Sequence, residues 1–230
     1  MQSGWISARA RFSIVLVSAH EVPHSGGQEA PPELTLADWR RQTAGIYSDV
    51  RGSADPIRGH ALWRDGRDGL FQQHPQSPLG PADPLRATGL PYWPYDPRLR
   101  FAVPLVPEPD AASYEVPTAP GELTRIRQLG WVELPVPVGE RLAVWWLEQY
   151  GGGLFMPFRD ATAGSATYGA GRYLLDTAKG ADLGTEGDLL VLDFNFSYHP
   201  SCRYDPAWQC PLAPPQNVLS VAIEVGERLS

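Results

Sequence analysis

About one residue in five of this 230-residue chain is proline (24) or glycine (23). That share is high for a helical protein and usual for a β-rich one with many turns. Hydrophobic residues make up 43%, with eight Trp, nine Tyr and seven Phe, enough for a real core. Global disorder is therefore excluded.

The same punctuation divides the chain. Gly26-Gly27 and Pro31-Pro32 close an N-terminal stretch. Within it FSIVLVSA (12–19) follows Arg9 and Arg11 but is short for a secretion signal, and His20-Glu21 stands where a small-residue cleavage site would be. Residues 1–32 are read as a disordered extension and 33–230 as a single β-rich domain. In LTLADWRRQTAGIYSDV (34–50), Leu36, Trp39, Ile46, Tyr47 and Val50 recur at helical spacing. Thr35 with Asp38 makes a capping-box-like start and Gly52 a stop. A second helix is expected over about 59–73, ending at His74-Pro75, although its internal glycines cost roughly 1 kcal/mol each. Residues 75–98 read as loop, with the aromatics Tyr92, Trp93 and Tyr95.

From about residue 99 the pattern changes to strands, at 99–106, 122–134, 142–149, 153–158, 167–175, 187–196 and 217–225. Short strands at regular spacing with turn signals indicate a mainly β, α+β fold. We expect an antiparallel β-sandwich or barrel-like core with one or two N-terminal helices packed on it.

Net charge is −7 and no basic stripe occurs, so a nucleic-acid partner is not expected. No apolar run approaches the ~20 residues of a membrane span. Two cysteines make no disulfide framework. A soluble cytoplasmic protein is the expectation, with no oligomeric state assigned. The chain has one lysine, Lys179.

Alternation over 187–196 puts Leu190, Leu192, Phe194 and Phe196 on one face and Asp193 and Asn195 together on the other. A carboxylate beside an amide at a strand end can orient a ligand or an arginine, or tie down the following loop. In PFRDATAGSATYGAGRY (157–173), Asp160 lies in a polar turn, and Tyr168 and Arg172, four apart, would share one strand face. Arg172 is a natural partner for Asp160, Asp193 or an anionic ligand. No phosphate-loop, zinc-protease or nucleophile-elbow motif occurs. His74 stands where the second helix ends, and reads as a loop histidine.

The loop HPSCRYDPAWQC (199–210) admits three readings: a zinc site through His199, Cys202 and Cys210, a short disulfide, or two reduced thiols in an aromatic pocket wall. The spacing lacks a zinc signature, and a reducing cytoplasm works against the disulfide. The third reading is favoured; no metal and no cofactor are expected. Five prolines make the loop stiff.

PFRDATAG, TYGAGRYLL and DFNFSYHPSCRYDPAWQCPLAPPQNVL resemble the bacterial and archaeal domain of unknown function family 1684, as do LADWRRQTAGIYSDVR, GLFQQHPQSPL and ATGLPYWPYDPRLR. The resemblance covers about 34–228. It implies that Arg159, Asp160, Thr162, Gly164, Thr167, Tyr168, Gly171, Arg172, Tyr173, Asp193, Asn195, Cys202, Cys210, Pro211 and Asn217 are the family's marked positions. It also implies two departures: Ala166 where a Glu is common, and His199 where Asn is common. Asn is no zinc ligand, so the resemblance speaks against a metal.

These readings converge on a small-molecule-binding domain with Asp160, Tyr168, Arg172, Asp193 and Asn195 as ligand contacts and 198–212 as one wall. An enzymatic reaction on a polar or anionic ligand would use the same site. The alternative is a protein-interaction module gripping its partner with exposed Tyr92, Trp93, Tyr95 and Trp208. A concave polar pocket would favour the first and a flat apolar patch the second.

Overall fold

The structure is a computed structural model that describes residues 30–119 and 122–230. The expected extension therefore lies outside the described residues up to position 29, as does FSIVLVSA. Residues 30 and 31 lead into α1 (Pro32–Gly52). Its start differs from the capping-box reading. Pro32 sits at the first helical position, where a missing N–H costs nothing, and Thr35 Oγ1 donates back to Pro32 O at 3.0 Å instead of capping. The second helix, α2 (Pro56–Gln73), begins three residues before the expected 59, because Asp55 caps it by accepting from Ile57 N at 3.0 Å. It buries Gly59, His60, Trp63, Leu70 and Phe71, a stripe of helical period. Gly66 is where the helices come closest: a Cβ there would lie 2.7 Å from Ile46 Cγ1. His74 ends α2 and ties it to α1, with Nε2 3.3 Å from Asp38 Oδ2. A short α3 (Leu85–Thr88) interrupts the proline-rich loop.

The strands, among the described residues, are β1 (Arg100–Val103), β2 (Val106–Pro107), β3 (Ser113–Ala119), β4 (Glu122–Glu133), β5 (Arg141–Leu147), β6 (Leu154–Phe158), β7 (Arg172–Asp176), β8 (Thr185–Glu186) and β9 (Leu189–Asp193). They form two antiparallel sheets. One runs β1-β9-β8; the other runs β2-β4-β5-β6-β7, with β3 also on β4. Neither closes into a barrel.

The large sheet is buried on both faces, and strand alternation explains how. On β5, Leu142 and Val144 join Phe101, Val103 and Leu192 of the small sheet, while Ala143, Trp145 and Leu147 pack with Tyr47, Val50 and Trp63 of the helices. The register of β4 shifts between Gln128 and Gly130, so the facing parity changes along it. Ile126 consequently meets the helices and Val132 the small sheet. Gly130 is required there, since a Cβ would collide with the Val106 and Pro107 backbone of β2. The architecture is helices, large sheet and small sheet in three layers.

Two expected strands are corrected. Residues 217–225 make no strand. Their backbone bonds instead to loop 159–161, with Arg159 N donating to Asn217 O and Leu219 N to Arg159 O. Leu219, Ile223 and Val225 are nevertheless buried, and this burial is the alternation seen in the sequence. The run 167–175 is extended only from Arg172. Gly171 adopts φ +99, a turn no other residue favours, so Tyr168 and Arg172 do not share a strand face. Likewise β9 stops at Asp193 and a 3-10 turn, Phe194–Phe196, follows, burying Phe194, Asn195 and Phe196 alike.

Candidate functional site

The five nominated residues fall into separate places. Arg172, 1% exposed, is a hub for the C-terminal segment. Nη2 donates to Asp160 Oδ1 (3.3 Å) and Ile223 O (2.7 Å), and Nη1 to Val225 O and Glu227 O (3.2 Å). The other carboxylate oxygen of Asp160 accepts from Thr162 N (3.3 Å), Thr162 Oγ1 (2.8 Å) and Ile223 N (2.8 Å). The expected pairing of Arg172 with Asp160 is present, and both groups are saturated by protein. Asp193 and Asn195 form a second, separate staple. Asp193 Oδ1 accepts from Asn195 N (3.0 Å) and Nδ2 (2.7 Å), and its Oδ2 from Tyr95 Oη (3.0 Å). The Asn195 amide both accepts from Asp96 N (2.7 Å) and donates to Asp96 O (2.9 Å). The pair shares no strand face; it is adjacent because Asp193 caps the turn that Asn195 occupies. Asp193 also borders a polar recess of about 300 Å3 with Arg51, Ser53 and Arg100. Tyr168 is half-buried beside Cys202, and its N–H donates to His199 Nε2 at 3.1 Å.

A different place has the shape of a binding site. Between α1, α2, β7 and residues 198–210 lies a cavity of about 240 Å3. Trp39, Tyr47, Trp63, Phe71, Tyr173 and Tyr198 give it aromatic walls, and Arg40, Arg67, Lys179 and Cys210 reach it. Each of these is positioned by an element already described. Arg67 extends from the inner face of α2 between the Phe71 and Tyr198 rings, 4.5 and 4.7 Å from their centroids. Its Nη2 donates to Glu227 Oε2 at 2.9 Å, and its buried Nε has no partner. Tyr47 Oη accepts from Trp63 Nε1 (3.1 Å). Lys179 closes one side, 3.0 Å from Asp176 Oδ2. Arg40, exposed on α1, has no ion-pair partner among the described residues. Beyond Tyr173 and Lys179 a shallower groove of about 840 Å3 continues past Arg125, Glu148 and Gln149.

The 198–210 wall is anchored through His199 and Glu227. Glu227, fully buried, accepts from His199 N at 2.9 Å and lies 3.5 Å from His199 Nδ1. Burial opposes its charge, but Arg67 and His199 outweigh burial and hold its carboxyl down at about 2. Because His199 Nε2 accepts from Tyr168 N, Nδ1 carries the proton toward Glu227. Both ring nitrogens are thus engaged. Among the described residues no three His, Cys, Asp or Glu side chains gather as a metal-binding set. Cys202 and Cys210 are both free thiols, half-buried and in contact. The Cys210 thiol is lowered to about 6: the Cys202 thiol beside it lowers it, burial opposes, and Lys179 helps.

Sequence reasoning missed Arg67, Tyr47 and Glu227. Arg67 had a signal, a cation in line with the buried stripe of α2; Glu227, in the last residues of the chain, had none. Lys179 was conspicuous only as the sole lysine.

No curated protein matches the chain. A solution NMR structure of an uncharacterized protein from Haloarcula marismortui is similar, at 31% identity and a TM-score of 0.52. That match covers 72% of this chain and 90% of the other. The family described as "Protein of unknown function (DUF1684)" matches over residues 86–228, which holds the Arg172 hub, the Asp193–Asn195 staple and the thiol loop. The chain belongs to this family.

Proposed function

We propose that the chain is a small-molecule-binding domain whose ligand, polar or anionic with a flat apolar body, occupies the cavity behind the 198–210 wall. One observation carries this: an aromatic-walled cavity of about 240 Å3 on which Arg40, Arg67 and Lys179 converge in a chain of net charge −7. Apolar walls with a few convergent polar groups are the usual make-up of a ligand pocket. Aromatic faces would take the body of the ligand, and Arg40 and the unpartnered Arg67 Nε its charged end. Binding rather than turnover is the proposed activity, since the one histidine on the wall is occupied by Tyr168 and Glu227. Tyr92, Trp93, Tyr95 and Trp208 are half-buried, and Trp208 lines the cavity, which supports a pocket over an interaction patch. A reducing cytoplasm suits the two unbridged thiols.

The test is a thermal-shift screen of small aromatic and aliphatic carboxylates and phosphates. A ligand at a hundred times its dissociation constant stabilises by about 2.7 kcal/mol. Hits should lose most of their shift in Arg40→Ala and in the cavity-filling Thr43→Phe, with the ligand-free melting point little changed. Hits that survive both variants undiminished, or no hits at all, would overturn the assignment.

A further inference from the structure

We propose that Cys202 and Cys210 are a peroxide-reactive dithiol, with Cys210 the attacking sulfur and Cys202 the resolving one. The reading rests on the loop and stands apart from the ligand proposal.

The loop folds on itself so as to bring the two thiols together. Cys202 lies in a 3-10 turn, Ser201–Arg203, and the chain then reverses through Tyr204 N and Asp205 N to Ser201 O and through Trp208 N to Asp205 O. Asp205 Oδ1 caps the second turn by accepting from Ala207 N at 2.8 Å. On the far side Tyr173 Oη donates to Pro211 O, fixing the chain next to Cys210. The two thiols differ in surroundings. Cys210 faces the cavity with Lys179, while Cys202 lies beside Tyr168. A sulfur beside a cation is favoured as thiolate, the reactive form. Cys202 is held in the protonated form by its contact with Cys210 and by burial. Neither cysteine is fully buried, so a small oxidant can reach them.

The chemistry balances with hydrogen peroxide as co-reactant. The Cys210 thiolate attacks one peroxide oxygen; an S–O bond forms, the O–O bond breaks, and hydroxide leaves to take up a proton as water. The sulfur of Cys202 then attacks the Cys210 sulfenic acid. The S–S bond forms, the S–O bond breaks, and a second water leaves with the thiol proton. Two electrons from the two thiols reduce one peroxide.

The experiment treats the reduced full chain with stoichiometric peroxide and reads the intact mass and the peptide map. The expected result is loss of two hydrogens and a 202–210 cross-link, both reversed by dithiothreitol. In Cys202→Ser the Cys210 sulfenic acid should accumulate and be trapped by dimedone. In Cys210→Ser the remaining thiol should be unreactive at the same dose. Lys179→Met should slow oxidation at pH 7 roughly threefold, the effect of half a pKa unit on the thiolate population. Oxidation of the parent chain to sulfinic acid without a cross-link would overturn the proposal. So would equal reactivity of the two single-cysteine variants. The mass of the parent chain decides even if a variant fails to fold.

Discussion

A guanidinium buried as deeply as that of Arg172 is tolerable only because acceptors surround it. Asp160 neutralises it, and the carbonyls of Ile223, Val225 and Glu227 take its remaining donors. Arg172→Met removes all of these and leaves Asp160 charged and buried. We expect a loss of about 3–5 kcal/mol in urea denaturation, against well under 1 for Arg41→Met on the surface of α1. Equal losses would refute the hub. Asn195 makes a companion case. Asn195→Ala frees the buried N–H and carbonyl of Asp96, and each unsatisfied group costs about 1–3 kcal/mol. The variant should melt early with or without ligand; an unchanged melting point would return Asn195 to the candidate binding residues. The Arg172–Asp160 pair was legible in the sequence because buried charge needs a partner. The three carbonyls were not, since they come from a segment that alternates like a strand but bonds like a loop. The Asp193–Asn195 pair was legible as a pair and misplaced, because alternation assumes that the strand continues, and Asp193 ends it by capping.

At the level of elements, α2 offers a direct test of what its glycines do. A methyl group added at Gly69 would meet nothing within 4 Å, whereas one added at Gly66 would press on Ile46 of α1. Gly69→Ala should therefore stabilise by roughly 0.5–1 kcal/mol, the helix-propensity difference. Gly66→Ala should give back that gain, because α1 must move or Ile46 must change rotamer. Identical effects at the two positions would mean that the helices do not meet at Gly66. Both helices, and the strands β4, β5 and β6, were legible because each shows a sustained period. The short β8 and the edge strand β3 were not, since their stability comes from pairing with a neighbour rather than from a pattern of their own. The cavity was invisible for the same reason. Its walls come from α1, α2, β7 and the 198–210 loop, and only the loop was dense enough in unusual residues to stand out.

For the molecule as a whole, the three-layer arrangement buries two ionisable groups whose shifts act in the same direction. His60 sits among Trp63, Tyr95 and Phe196, and burial, with Arg64 nearby, lowers it from 6.5 to about 4. Between those values the unfolded chain binds a proton that the folded chain refuses, so stability falls as the pH drops from about 6.5 towards 4. Glu227 is lowered from 4.5 to about 2 by Arg67 and His199 against its burial, so its contribution is complete above 4.5 and is lost as the pH falls towards 2. The two windows join, and acid should weaken the fold continuously from just below neutrality. Denaturation midpoints at pH 7.5, 6.5, 5.5 and 4.5 read this directly. His60→Phe, which keeps an aromatic ring where Nε2 has no partner, should flatten the slope between 6.5 and 4.5. Glu227→Gln should lower stability at every pH in that range while leaving the slope in place. If His60→Phe retained the parent slope, the proton taken up there would belong to another group, and the burial of His60 against the aromatic layer would not be what makes the fold acid-sensitive.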